Sequence, residues 1–178
     1  LTPHRKKELE VLAKISGKSG IAKGRKLSKI LLGTIPLIYA SQNTASLAYT
    51  WKIKFNETGK TPAFTASIPE LFHNEMTGFD AGKKTQKNAG RFVFILLENP
   101  DDSPEIKKRI QTFKKFIGSK GFTVIHEKLS GDTFMERHVR SINLADWTSY
   151  FLAKNSGADP EHVPWVEEFK TIARSHHD

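Results

Sequence analysis

The chain has 178 residues, enough for one ordinary domain, and its 38% hydrophobic and 26% charged residues are typical of a globular protein. The absence of cysteine excludes disulfides, cysteine nucleophiles and cysteine-ligated zinc, and is compatible with the cytoplasmic location that we predict. The net charge of +9 favours an anionic partner. No apolar run approaches the ~20 residues that span a bilayer, so no membrane partner is expected. No nucleic-acid partner is expected either, because helix-turn-helix, zinc-finger and RNA-binding-strand patterns are lacking.

The amino-terminal part of the chain is predicted to be a helix followed by a basic linker. Leu1–Ile15 carries a threonine cap, a proline in the first turn and apolar residues at helical spacing. Ser16–Gly24 is rich in glycine, serine and lysine, which is typical of a flexible connection. We therefore divide the chain into residues 1–24, a helix and basic linker, and residues 25–178, one folded domain.

Helices and strands are predicted to alternate through the rest of the chain. The strongest strand, "RFVFILLE", is continuously apolar, which indicates burial on both faces as in a parallel sheet. Alternation of this kind predicts an α/β fold, a four-stranded parallel sheet between two helical layers. The predicted elements are helix Ala22–Leu32, strand Pro36–Ala40, helix Asn43–Phe55, strand Ala63–Ile68, strand Arg91–Glu98, helix Glu105–Gly118, strand Phe122–Glu127, helix Thr133–Asn155 and helix Pro160–Ser175.

Two titratable side chains flank the second predicted strand. His73 lies in "SIPELFHNEMTGFD", among apolar residues of a segment whose Pro-Glu pair suits the first turn of a helix. Glu57 lies at the carboxyl end of a predicted helix, where a carboxylate is electrostatically unfavourable. A glutamate can take a proton from a carbon next to a carbonyl, and a histidine can shuttle protons near neutral pH. A solvated glutamate and a half-buried structural histidine remain the alternatives.

A polar turn follows the first predicted strand, in "YASQNTAS". It precedes a helix amino terminus, a natural place to bind an anion, so Ser41 and Asn43 are candidate substrate-binding residues. Dinucleotide and Walker fingerprints are lacking, and no spacing of histidines and carboxylates suggests a metal site, so we expect neither cofactor nor metal. Glu136 and Arg140 are four positions apart on a predicted helix, and we interpret them as a structural ion pair.

Three stretches of the sequence resemble a known family. They read "GTIPLIYAS", "AYTWKIKFNETGKTPAFTASIPELFHNEMTGF" and "LADWTSYFLAKNSGADPEHV". From about Leu31 to Ile172 the chain is similar to the carboxyl-terminal half of the bifunctional phosphoglucose/phosphomannose isomerases, members of the sugar isomerase (SIS) domain superfamily. The resemblance implies a flavodoxin-like SIS fold, with a parallel sheet in an αβα sandwich.

The resemblance also implies a reaction and its residues. Such enzymes interconvert an aldose phosphate and a ketose phosphate through a cis-enediol, here glucose or mannose 6-phosphate and fructose 6-phosphate. Glu57 occupies the position of the glutamate that moves the proton between the two sugar carbons, and His73 that of the histidine that assists ring opening. Lys154 is the nearest candidate for a carboxyl-terminal lysine, and Thr148 for a neighbour that faces the sugar. The resemblance implies no cofactor and no metal.

The resemblance finally implies partners. Enzymes of this kind have two SIS domains, and an amino-terminal SIS domain is expected but absent from this sequence. A histidine that reaches into the neighbouring subunit implies a homodimer. An isomerase domain acting on a phosphosugar is therefore the leading hypothesis, and a non-catalytic SIS domain that binds or senses a phosphosugar is the alternative.

Overall fold

The structure is a computed structural model that describes residues 9–11, 13, 15, 20–80 and 86–175. Short 3-10 turns precede two of its helices. The helices and strands are α1 Ile21–Leu31, β1 Ile35–Ser41, α2 Ala45–Glu57, β2 Phe64–Ile68, α3 Glu75–Phe79, α4 Gln86–Ala89, β3 Phe92–Glu98, α5 Pro104–Ser119, β4 Thr123–Lys128, α6 Phe134–Ser156 and α7 Pro164–Ser175.

Four parallel strands form one sheet in the order β2-β1-β3-β4. Leu37 of β1 lies between Phe64 of β2 and Phe94 of β3, which sets the register at the centre of the sheet. Strands β1 and β3 are buried almost throughout, whereas β2 at the edge is largely half-exposed. The predicted α/β fold with a four-stranded parallel sheet is thus confirmed, and the apolar run of β3 reflects burial on both faces.

Helices cover both faces of the sheet. Helices α1, α2 and α6 pack on one face, and α5 with the segment around α3 packs on the other. Trp51 is fully buried in the first layer, where its indole Nε1 donates a hydrogen bond to Ser141 Oγ at 2.9 Å and ties α2 to α6. Burying a large apolar side chain of this kind contributes roughly 1.5–3 kcal/mol, so Trp51 stabilises the packing of this layer on the sheet.

The prediction of an amino-terminal helix and linker can be compared with the structure at only some of its residues. Most of Leu1–Ile15 lies outside the described residues, as do four residues of the predicted linker. The described end of that linker, residues 21–24, belongs to α1. The boundary predicted at residue 24 therefore falls inside a packed helix, and the division of the chain stays a prediction. None of the helices within the described ranges is long and apolar enough to cross a membrane.

Helices α1 and α6 approach each other closely at Gly24. A Cβ atom on Gly24 would lie 2.7 Å from Trp147 Cβ and 2.9 Å from the backbone nitrogen of Thr148. Real Cβ atoms essentially never make contacts under 3.0 Å, and here the opposing atoms are backbone and Cβ rather than the end of a flexible side chain. A glycine is therefore required at this crossing.

We expect Gly24→Ala and Gly118→Ala to change stability in opposite directions. The first forces α1 away from α6, and overpacking of this kind costs about 1–3 kcal/mol. The second adds a methyl group to α5 where nothing lies within 4 Å, and the better helix propensity of alanine stabilises by about 0.5–1 kcal/mol. Urea unfolding of the two variants measures both effects, and equal shifts would contradict the close approach at Gly24.

Candidate active site

Glu57 is the last residue of α2, and a tight turn follows it. The backbone N–H groups of Thr58 and Gly59 both donate to the carbonyl of Lys54, and the N–H of Thr61 donates to the carbonyl of Phe55, each at 3.0 Å. The chain then enters β2 where Ala63 N donates to Asn56 Oδ1 at 2.9 Å. This end of α2 is therefore fixed by hydrogen bonds, whereas the Glu57 side chain is exposed and, within the described residues, unpaired.

Glu57 lines an open cleft of about 780 Å³ between the carboxyl end of α2, the start of β2 and the start of α7. Lysine and histidine side chains share the cleft with it, and the aromatic wall comes from Phe64 and Trp165. Its lining residues are Lys52, Asn56, Glu57, Lys60, Thr61, Pro62, Ala63, Phe64, His162, Val163, Pro164, Trp165 and Val166. A carboxylate with free access, cations around it and aromatic surface beside it suits acid–base chemistry on an anionic, partly apolar ligand.

The segment that carries His73 is anchored by its apolar neighbours. Leu71 is fully buried, and the ring of Phe72 packs against Phe113 of α5 with centroids 5.5 Å apart. Phe79, at the end of α3, packs against Phe94 at 4.9 Å. The predicted helical start at the Pro-Glu pair is a 3-10 turn, Glu70–Phe72, followed by the short helix α3. His73 lies between the two and is exposed, so the segment is held firmly while the imidazole stays accessible.

A partly buried hydrogen bond fixes α3 to the sheet. The hydroxyl of Tyr39 in β1 donates to Glu75 Oε2 at 2.5 Å, two residues after His73. Burial, together with the Glu75 carboxylate, raises the pKa of Tyr39 above its ordinary value. The tyrosine therefore remains a donor across the neutral range, and Glu75 serves as an anchor for the histidine segment.

Glu57 and His73 lie at opposite ends of β2. Glu57 is next to the residues that enter the strand, whereas His73 follows the turn after its carboxyl end. The strand rises about 3.3 Å per residue, so its two ends are roughly 13 Å apart. His73 is also not among the residues that line the Glu57 cleft. Within one chain the two groups therefore do not line the same cleft, and their convergence on one sugar, with the histidine coming from a neighbouring subunit, stays a prediction.

The predicted anion cradle after β1 is occupied by an internal network. Ser41 is buried, and its hydroxyl donates to Asp102 Oδ1 at 2.5 Å, while the other oxygen of Asp102 accepts from Asn99 N at 3.1 Å. Asn43 is exposed in the 3-10 turn that precedes α2. A buried carboxylate beside Ser41 repels an anion, so this turn gives little support to a phosphate site, and the assignment of Ser41 and Asn43 stays a prediction.

Lys154 and Thr148 both lie on α6, and neither is among the residues that line the Glu57 cleft. Thr148 is fully buried, and its hydroxyl donates to the carbonyl of Leu144 at 2.7 Å. Lys154 is exposed, with its Nζ 5.9 Å from the ring centre of Tyr150. Neither residue meets Glu57 in this structure, and their roles stay predictions.

The pair predicted on the same helix is confirmed. Glu136 Oε1 lies 2.7 Å from Nη2 of Arg140, and the other oxygen of Glu136 accepts from Asp132 N at 2.9 Å. The backbone N–H of Asp132, with Arg140 next in importance, lowers the pKa of Glu136 below its ordinary value. The pair therefore stabilises the start of α6. Across the described ranges, histidines and carboxylates nowhere gather in groups of three that could hold a metal ion.

Helix α7 presents an apolar face to solvent. Trp165 is 85% exposed and Phe169 is 71% exposed, and they lie with Ile172 on one side of the helix. Every described residue of α7 is exposed. An apolar stripe of this kind on a helix normally packs against another surface, and its first turn forms one wall of the Glu57 cleft.

Comparison with known proteins identifies the domain. A family described as the bacterial phospho-glucose isomerase C-terminal SIS domain matches residues 22–172, most of the chain. The chain belongs to this family. A curated relative from Aquifex aeolicus, named bifunctional phosphoglucose/phosphomannose isomerase, is 33% identical over 154 residues, which cover 86% of the chain and 47% of the relative. A relative of the same name from Thermoplasma acidophilum is 33% identical over 137 residues, covering 76% of the chain and 41% of the relative.

The chain therefore spans about half the length of the curated relatives that it matches. Among solved structures, a glucose-6-phosphate isomerase-like protein from Thermus thermophilus superposes with a TM-score of 0.64 at 19% identity, covering 84% of the chain and 47% of that protein. The C-terminal domain of a glucosamine-fructose-6-phosphate aminotransferase from Francisella tularensis superposes with a TM-score of 0.59 at 13% identity, and the match covers 89% of the present chain and 47% of the Francisella structure. At these identities the superpositions show that the fold is shared.

Sequence reasoning pointed to Glu57 but not to most of the residues that line the cleft around it. His162 and Trp165 come from a segment about 100 positions later in the chain, and no local pattern relates them to α2. Lys60 lies three positions after Glu57, and no local sequence pattern singles it out. The left-handed backbone of Lys60, with a φ of 51°, is visible only in the folded chain.

Proposed function

We propose that this SIS domain is the carboxyl-terminal half of an aldose–ketose isomerase that interconverts glucose 6-phosphate, mannose 6-phosphate or both with fructose 6-phosphate. The observation that carries the proposal is the position of Glu57. The family resemblance gives this glutamate the role of proton carrier, and its carboxylate is exposed in a cleft lined by cations and aromatic rings. The names of the curated relatives supply the substrates.

In the proposed mechanism, Glu57 moves one proton between two carbons of an opened sugar. Starting from open-chain fructose 6-phosphate, the carboxylate removes a proton from C1, the C1–C2 double bond forms, and the electron pair of the C2 carbonyl moves to O2, which takes a proton from solvent to give the cis-enediol. Glu57 then returns its proton to C2 while the hydroxyl at O1 loses its proton to solvent and becomes the C1 carbonyl, which gives the aldose. An accessible carboxylate is suited to both steps, since it can accept the proton and release it again.

His73 is proposed to assist ring opening in the active site of a second protomer. Three features support this role. The imidazole is exposed, its segment is anchored by Leu71 and by the Tyr39–Glu75 hydrogen bond, and Glu57 of the same chain lies at the other end of β2. A homodimer in which each Glu57 cleft receives the partner's His73 would bring the two groups together.

The apolar face of α7 supports a further partner for the domain. We propose that an amino-terminal SIS domain packs against Trp165, Phe169 and Ile172, because the curated relatives are about twice as long as the match. Ligand sites occur preferentially at domain interfaces, and α7 already forms one wall of the Glu57 cleft. A domain placed there would close the cleft against water.

The separation of Glu57 from His73 favours a second candidate function. A domain that lacks one of the two proton-transfer groups in its own cleft can bind a phosphosugar without converting it. A SIS domain that binds or senses a phosphosugar is therefore the alternative.

Solvent exchange at the substrate distinguishes the two functions. Incubated in D2O with fructose 6-phosphate, an isomerase incorporates deuterium at C2 of the aldose product, because the proton carried by Glu57 exchanges with solvent. NMR of the sugar pool measures this incorporation and shows whether glucose or mannose 6-phosphate is formed. Binding of fructose 6-phosphate without any deuterium incorporation would support the sensor instead.

A further inference from the structure

Lys60 adopts a backbone conformation that lysine normally avoids. Its φ is 51°, and among the residues that the structure describes it is the one non-glycine residue with a positive φ. The left-handed region suits glycine and, less well, asparagine, because a Cβ atom there lies close to the following carbonyl oxygen. A lysine held in this region is therefore under backbone strain.

The turn does contain a glycine, Gly59, but it comes directly before the left-handed position and does not occupy it. A Cβ atom on Gly59 would lie 2.8 Å from the carbonyl oxygen of Phe55, so the glycine is required where it stands. The left-handed position consequently falls on the next residue. Hydrogen bonds fix the turn on both sides, since Thr61 N donates to Phe55 O and Thr61 Oγ1 donates to Gly59 O, both at 3.0 Å.

The turn places the Lys60 side chain in the Glu57 cleft. Within the described part of the chain, its ammonium group makes no hydrogen bond and no ion pair. By contrast, Lys54, one turn earlier on α2, pairs with Asp146 at 2.7 Å. Glu57 is the one carboxylate among the residues that line the cleft, whereas two lysines, Lys52 and Lys60, line it. The cleft therefore has more positive groups than its own acid can neutralise.

We propose that Lys60 is an anion-binding residue of this cleft, whose ammonium group contacts an anionic oxygen of the bound sugar phosphate. The inference rests on the proposed function for the class of ligand. The oxygen belongs either to the phosphate group or to the enediol, which gains negative charge as the proton leaves carbon. Strained residues persist where the surrounding structure holds them in place, and they cluster at active sites and ligand-binding sites.

Stability and binding are expected to respond in opposite directions to Lys60→Gly. Glycine relieves the strained φ, so the melting temperature should stay the same or rise by up to about 4 °C.

Asparagine also tolerates the left-handed region, so Lys60→Asn removes the charge with little strain. Lys60→Arg keeps the charge, and Lys115→Ala on the exposed face of α5 is a control for net charge. A melting temperature lowered by Lys60→Gly would assign the side chain to the fold and overturn the proposal.

Calorimetric titration of the whole chain with two ligands tests the contact. The ligands are fructose 6-phosphate and arabinonate 5-phosphate, whose carboxylate carries the charge that the enediol acquires. Loss of a charge-assisted contact should weaken binding about 10- to 100-fold in the Gly and Asn variants, whereas the Arg variant and the control keep the affinity of the unmodified chain. Equal losses for both ligands identify the phosphate, and a loss confined to arabinonate 5-phosphate identifies the enediol oxygen.

The outcomes separate this proposal from the function on which it rests. If the unmodified chain binds both ligands and Lys60→Gly binds them equally well, the Lys60 contact is refuted and the isomerase proposal stands. If the unmodified chain binds neither ligand at millimolar concentration, the phosphosugar function and the Lys60 contact fail together.

Discussion

Replacing Glu57 with glutamine is expected to abolish deuterium incorporation at C2 of the sugar while leaving the fold intact. Glutamine keeps the shape of the side chain but cannot accept a proton from carbon. A positioned general base contributes about 10²–10⁴-fold to such a step, so the isomerisation rate should fall by that factor. Glu57 is exposed and has no partner within the described residues, and substitutions of this kind change stability by no more than about 0.5 kcal/mol.

Glu105→Gln provides the matched control for that experiment. Glu105 is an exposed glutamate of α5, on the other face of the sheet, and it pairs with Arg109 four positions later. This variant carries the same change of charge as Glu57→Gln, so it should exchange deuterium at the rate of the unmodified protein. Circular dichroism and the urea midpoint confirm that both variants fold. Undiminished exchange by Glu57→Gln would remove this carboxylate from the mechanism and leave the binding function.

The architecture was predictable because its signals are local. Burial of β3 is visible in its continuous apolar run. Burial of one side of α2 is visible in the helical spacing of Leu47, Trp51 and Phe55. Parallel pairing then follows from the helices between the strands. The segment around His73 was less predictable. Leu71 is buried in one cluster with Phe94, and the partly buried Phe79 packs against it; this tertiary packing accompanies a division of the segment into a 3-10 turn and a short helix.

The residue types of the site were predictable, but their arrangement was not. Glu57 and His73 are 16 positions apart, and that spacing does not show that one precedes β2 while the other follows it. The helix amino terminus that follows β1 pointed to Ser41 as an anion-binding residue, but at this carboxyl edge of the sheet the Ser41 hydroxyl donates to Asp102 instead. The open cleft at Glu57 lies at the opposite edge of the sheet, where α7 contributes a wall.

Opposite placement of the two groups has a direct consequence for catalysis by a dimer. If each active site combines Glu57 of one protomer with the partner's His73, a mixed dimer of Glu57→Gln and His73→Ala chains contains one site with both changes and one site with neither. Each variant made alone has no intact site. The mixed dimer should therefore regain about half of the unmodified activity, a large increase over two nearly inactive parents.

Co-expression of the two variants with different affinity tags, followed by purification on both, isolates the mixed dimer for this measurement. His73 is exposed, so its replacement with alanine should leave the Tyr39–Glu75 anchor and the buried Leu71 in place. A doubly tagged dimer that remains as inactive as its parents would place both groups in the same protomer, or His73 outside the reaction. Failure to recover any doubly tagged species would argue against the dimer itself. Recovered activity, in contrast, would assign the exposed histidine to the partner's cleft, because only a shared site can be rebuilt from two defective chains.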